Sequence, residues 1–209
     1  DQAMAHKQKT IALHSNSECK ISTRKRNRLF RWVIEMLDKF NHDCINPSEC
    51  MQRCSHWCPS SCASRCNENC RKSRTISFKT RQLTFLIIDM FLLKASVKDS
   101  DLQLLSTGAF FLAAKLEESF MITVEDACYI GDDIYAPQEL LAMEIVILKT
   151  LNWKLNYPTA GDIARKLLLA LQFPKELDYE IFAKQVDDFI EFCLLEHEIN
   201  NHGVIAIAL

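Results

Sequence analysis

The sequence predicts an all-α protein, and three observations carry that prediction. Apolar residues recur at helical spacing through most of the chain after residue 23, only 4 Gly and 5 Pro punctuate 209 residues, and hydrophobic residues make up 48% of the total. A sandwich or barrel needs a turn every few residues and the Gly and Pro to make it. The length suits one or two domains and is enough to bury a proper core.

The element the others should pack around is Ser100–Glu118, SDLQLLSTGAFFLAAKLEE. No face of it is clearly polar before its charged end, and a helix apolar all round is a buried one. Ser100 with Gln103 three residues on has the form of a capping box that would start it. Lys115, Glu117 and Glu118 fall in its last turn, a charged exit that spacing reads equally as a solvated helix end or as a contact point.

In chain order, residues 1–22 are polar and aperiodic and read as a flexible lead-in. From Arg24, Leu29, Trp32, Val33, Met36, Leu37 and Phe40 form one helical stripe, with Ser22 or Thr23 able to cap it. Its opening turns hold Arg24, Lys25, Arg26, Arg28 and Arg31, cations at the positive end of the helix dipole. Such a run fits a solvated face with one or two Arg paired internally, or a phosphate-binding or import cluster.

Residues 41–78 interrupt the pattern. Cys50, Cys54, Cys58, Cys62, Cys66 and Cys70 recur every four residues, with Cys44 outside the series. Metal sites usually pair ligands as C-x2-C or C-x4-C with a second pair about a dozen residues on, unlike this unbroken C-x3-C series, and on a helix each step of four drifts by about 40°, so all six thiols could not meet one ion. The segment is open between a disordered or locally folded insertion, a soft-metal site and an oxidised stretch.

Helical periodicity resumes over Lys79–Lys94, where Asp89 stands among apolar residues and needs a partner. Thr123–Ile130 is a short helix with Asp126 three residues after its Thr cap; Gly131, Asp132 and Asp133 break it. Pro137 and Glu139 open the next helix, which ends near Leu151 and carries Glu144 in an apolar run, where spacing alone puts it at the solvent edge. After a connector over 152–158, Thr159 with Asp162 starts a helix to about Leu171, Leu177–His197 forms another, and a last one begins near Asn201. Cys128 and Cys193 lie on apolar stripes as inert core residues.

Charge separates the halves: residues 1–99 hold 18 Lys+Arg against 9 Asp+Glu, and residues 100–209 hold 7 against 18, balances of +9 and −11. The acidic half is a poor surface for nucleic acid. No apolar run reaches membrane-spanning length, and the N-terminus lacks signal-peptide order, so the chain is expected to be intracellular. Its start at Asp1 and its end within GVIAIAL suggest a piece of a longer protein.

The buried helix leaving through Lys115-x-Glu117-Glu118, the run Met143-Glu144-x-x-x-Leu148 and the surrounding YIGDDIYAPQELLAMEIVILKTLNWKLNYPTAGD together resemble the cyclin box. The resemblance implies a cyclin fold: a five-helix N-terminal box over 23–157, carrying the Cys-rich insertion, then part of a second box over 158–209. It implies no enzyme activity, no cofactor, and a regulatory subunit of a cyclin-dependent protein kinase in cell-cycle control, in nucleus and cytoplasm. By the same resemblance Lys115 and Glu144, with Glu117 and Glu118 close by, reach the kinase, and Arg26 pairs with Asp89. A groove for Arg-x-Leu substrate or inhibitor peptides would use Leu29, Trp32 and Gln103, while Lys25 and Arg28 stand where apolar residues are expected. The rival reading is a cyclin-fold transcription factor gripping DNA, supported by the basic first half and opposed by the acidic second.

Overall fold

The computed structural model describes residues 22–42, 76–170 and 179–195. Its elements are α1 (Thr23–His42), α2 (Phe78–Lys94), a 3-10 turn (Asp99–Asp101), α3 (Leu102–Glu117), α4 (Val124–Ile130), α5 (Pro137–Thr150), α6 (Ala160–Ala170) and α7 (Tyr179–Leu195). Among the described residues five α-helices precede the connector, and no strand occurs. The lead-in, the six-cysteine series and the helix expected from Asn201 lie outside the described residues.

The central helix is α3. Every residue from Leu104 to Ala114 is buried, and α2 and α5 pack along it. At Gly108 the approach of α5 leaves little room: a Cβ there would lie 3.1 Å from both Met143 Cγ and Ile147 Cδ1. One stripe of α5, Leu140, Met143 and Ile147, is fully buried against this seam. Helix α1 contributes Leu29, Val33, Met36 and Leu37, and also Phe30, which the apolar spacing leaves off the stripe. Phe30 is wholly buried and stacks on Phe85 of α2 with ring centroids 4.5 Å apart.

Local chemistry sets most of the boundaries. Ser77 Oγ accepts the Thr80 amide at the start of α2, and Thr123 with Asp126 forms a reciprocal capping box before α4. Glu139 Oε2 accepts the Ala136 amide ahead of Pro137, and Thr159 and Asp162 exchange bonds of 3.0 and 3.2 Å at the start of α6. The expected Ser100–Gln103 capping box is not formed. The 3-10 turn already puts Asp101 in right-handed helical geometry, α3 begins at Leu102, and the Ser100 hydroxyl donates to Asp101 Oδ1 instead.

Helices α4 and α5 end in paired left-handed residues, Asp132–Asp133 and Asn152–Trp153. The amides of Asp133 and Trp153 reach back to the carbonyls of Cys128 and Leu148, at 2.9 and 2.8 Å, which satisfies carbonyls a helix end leaves open.

Candidate functional site

The charged exit of α3 divides in the structure. Lys115 turns towards α5, where its Nζ donates to Glu144 Oε1 at 2.6 Å while lying 3.9 Å from the centroid of the Phe111 ring. The Lys115 side chain is 42% exposed and that of Glu144 12%, so the pair sits at the surface with its anion sheltered. Exposed apolar side chains flank it: Leu116 beside Lys115, and Leu141 and Ile145 three residues before and one after Glu144.

Glu117 and Glu118 face the start of α2 instead. Glu117 meets Lys79 Nζ at 3.0 Å, and Asp162 of α6 lies 3.7 Å from the same nitrogen. The hydrogen bond with Glu117 is the main reason the Lys79 ammonium pKa is raised. Glu118 Oε1 accepts the Ser77 amide at 2.8 Å and the buried Thr80 hydroxyl at 2.5 Å. The structure therefore brings Lys115 and Glu144 together and gives Glu118 to fastening α3 onto the first turn of α2.

Arg26 and Asp89 form a two-pronged ion pair between α1 and α2. Arg26 Nε donates to Oδ1 at 2.9 Å and Nη2 to Oδ2 at 2.7 Å, with the guanidinium 4.0 Å from the Phe30 ring centroid. The Arg26 side chain is 2% exposed and that of Asp89 25%.

At the expected peptide groove, Leu29 is buried in the core, and Trp32 and Gln103 are half-buried. Lys25 Nζ is 2.6 Å from Asp99 Oδ2, a pair that ties α1 to the 3-10 turn before α3, and Arg28 is exposed. Charge is thus exposed at these positions, and of their two apolar residues Leu29 is turned into the core while Trp32 is half-buried.

Sequence reasoning missed the exposed apolar residues around Lys115 and Glu144, because α5 reads as apolar throughout. A usable signal was present: Leu140, Met143 and Ile147 already supply one complete buried stripe, which leaves Leu141, Glu144 and Ile145 together on another. Cys128 and Cys193 are buried, and burial raises the pKa of both thiols. No His, Cys, Asp and Glu cluster among the described residues could hold a metal ion, and no described helix is long and apolar enough to cross a membrane.

Among solved structures, the chain resembles a viral cyclin from herpesvirus saimiri, with a TM-score of 0.64 and 18% identity over 90% of this chain and 66% of that one. This defines the class as a cyclin-fold helical protein. Residues 69–156 match the family description "Cyclin, N-terminal domain", the stretch that holds α2 to α5. G2/mitotic-specific cyclin-B3 of Canis lupus familiaris is 42% identical over 91 residues, 44% of this chain and 7% of that protein. G1/S-specific cyclin-D2 of Gallus gallus is 36% identical over 106 residues, 51% of this chain and 36% of that protein. Over residues 69–156 the chain is thus similar to the N-terminal domain of cyclins, and it spans about a third or less of the length of these two relatives.

Proposed function

We propose that this chain is a regulatory subunit in cell-cycle control, acting in nucleus and cytoplasm, that binds a cyclin-dependent protein kinase and favours its active arrangement. One observation carries the reading: an ion pair between the end of α3 and the middle of α5, Lys115–Glu144, surrounded by exposed Leu116, Leu141 and Ile145. Apolar side chains supply area to bury, and a fixed cation and anion among them can hydrogen-bond a partner backbone and set its register. A kinase is active only when its β3 lysine and αC glutamate are brought together, and a rigid helical surface that binds that arrangement better shifts the equilibrium towards it. The chain supplies no reacting group of its own. Arg-x-Leu docking is left out of this proposal, since Leu29 is committed to the core and Lys25 to Asp99.

The test is affinity capture of a kinase by wild type and by the Lys115→Ala/Glu144→Ala protein, with circular dichroism to show that both are folded. The expected result is an intact helical spectrum with kinase capture lost. Equal capture by the two proteins would remove the reading.

A further inference from the structure

Three arginines of α1 take no part in the Lys115–Glu144 surface, and one of them, Arg28, stands at the position where the expected peptide groove would need an apolar residue. Arg24, Arg28 and Arg31 are exposed and recur at four and three residues, so they form one stripe on the outer face of the helix. Their neighbours are committed elsewhere, Lys25 to Asp99 and Arg26 to Asp89, but none of the three has a carboxylate partner among the described residues. No acidic residue occupies the first turn of α1 to offset them, and like charges on adjacent turns at the positive end of a helix dipole are unfavourable.

The sequence on either side of α1 does not neutralise this stripe by its net charge. The adjoining stretches are themselves basic: residues 1–21 carry 3 Lys+Arg against 2 Asp+Glu, and residues 43–75 carry 5 against 3. The stripe is also short. Helical rise puts Arg24 and Arg31 about 10 Å apart along the axis, with steps of about 6 and 4.5 Å. Beyond it the same face ends in exposed Glu35, and the second half of the sequence carries a balance of −11. A long polyanion such as duplex nucleic acid would run off the stripe into repulsion. An extended acidic segment fits better, because alternate side chains on one side of an extended chain recur about every 6.6 Å.

We propose that the Arg24–Arg28–Arg31 face of α1 docks a short extended acidic segment of a partner protein, with carboxylates at alternate residues meeting successive guanidiniums. Guanidinium suits the task, since its planar fork pairs with a carboxylate through two hydrogen bonds. The face uses none of the residues assigned to the kinase, so the proposal stands whether or not kinase capture succeeds.

Fluorescence anisotropy of the full chain with a labelled peptide of alternating glutamate and leucine tests this, against the same peptide with glutamine for glutamate. The glutamate peptide should bind, the glutamine peptide should bind about tenfold or more weakly, and added salt should erase the difference. Arg24→Gln/Arg28→Gln/Arg31→Gln should lose about tenfold with its helical spectrum unchanged, and Arg28→Gln alone about threefold. Arg28→Glu should bind the glutamate peptide more weakly still and gain affinity for a lysine-leucine peptide. Equal binding of the glutamate and glutamine peptides would overturn the proposal. So would tighter binding of a duplex oligonucleotide through the same arginines, or salt-sensitive self-association that the triple variant abolishes, since the occupant would then be nucleic acid or a second copy.

Discussion

Replacing Asp89 by alanine would leave the Arg26 guanidinium, with a side chain 2% exposed, facing the space where two charge-assisted bonds of 2.9 and 2.7 Å had been. Water reaches it poorly, and the Leu194 carbonyl at 3.5 Å from Nη1 and the Phe30 ring face compensate only in part. Breaking a buried pair from one side costs about 3–5 kcal/mol. At about 2–4 °C per kcal/mol for a unit of this size, the melting temperature should fall by roughly 6–20 °C. The opposite truncation is the milder one in electrostatic terms, because Asp89, 25% exposed, can be rehydrated. Arg26→Met/Asp89→Leu removes both charges and keeps apolar volume, and should recover most of the loss, since swapping a buried pair for packed apolar groups is often close to neutral. Urea unfolding followed by circular dichroism, run as a double-mutant cycle, separates the pair from its surroundings. A cost below about 1 kcal/mol for Asp89→Ala, or a double variant no more stable than the single, would refute the claim that an uncompensated buried charge dominates.

Other expectations follow from the same geometry. Glu118→Ala orphans the Ser77 amide and leaves the buried Thr80 hydroxyl only Ser77 Oγ, at 2.9 Å, as a partner, and should cost about 1–3 kcal/mol in urea unfolding, while Glu118→Gln, which keeps an acceptor oxygen, should cost distinctly less. Gly161→Ala puts a Cβ 2.8 Å from Gln82 Nε2, whose side chain is buried and holds the Gly161 amide through Oε1 at 2.9 Å, so a loss of about 1–3 kcal/mol is expected by calorimetry. Asp187 gives a pH dependence. Burial raises its pKa above 3.8, partly offset by its hydrogen bond with Arg165, so the folded state holds that proton more tightly than the unfolded one. Its contribution to stability is then fullest below 3.8 and declines as pH rises through the raised folded value, and Asp187→Asn should flatten that part of the stability profile in unfolding titrations across the acid range.

Much of the helical plan was legible because its causes are local. Apolar spacing and the Thr123–Asp126, Pro137–Glu139 and Thr159–Asp162 signals lie within a turn of the boundaries they fix, and the observed helices start there. Ser100–Gln103 has the same form and failed, because a preceding 3-10 turn had already committed the backbone, and nothing in four residues reveals that. Pairings between distant residues were less visible. Periodicity shows that Asp89 needs a partner but cannot choose Arg26 from five basic residues; the family likeness named that pair. Neither route foretold that Glu118 would turn to Ser77 and Thr80, some forty residues earlier, because that depends on how α2 meets the end of α3.

That meeting point explains why a surface at the end of α3 can act as a fixed platform. Five of the six residues from Ser77 to Gln82, at the start of α2, reach most of its surroundings: Ser77 and Thr80 hold Glu118, Lys79 holds Glu117 and lies near Asp162, Arg81 bridges Asp38 of α1 and Glu191 of α7, and Gln82 accepts the Gly161 amide of α6. The last turn of α3, which carries Lys115, is thereby tied through α2 to α1, α6 and α7. On its other side Lys115 is tied to α5 through Glu144. A partner meeting this surface would not have to order it, and the side-chain and backbone entropy otherwise lost on association would already have been spent in folding. The helices after the connector would then contribute to partner binding without touching the partner, by bracing α2 through Arg81 and Gln82. Loosening that brace at Gly161 should weaken kinase capture less than removing Lys115 and Glu144, and by an amount that tracks the loss of stability.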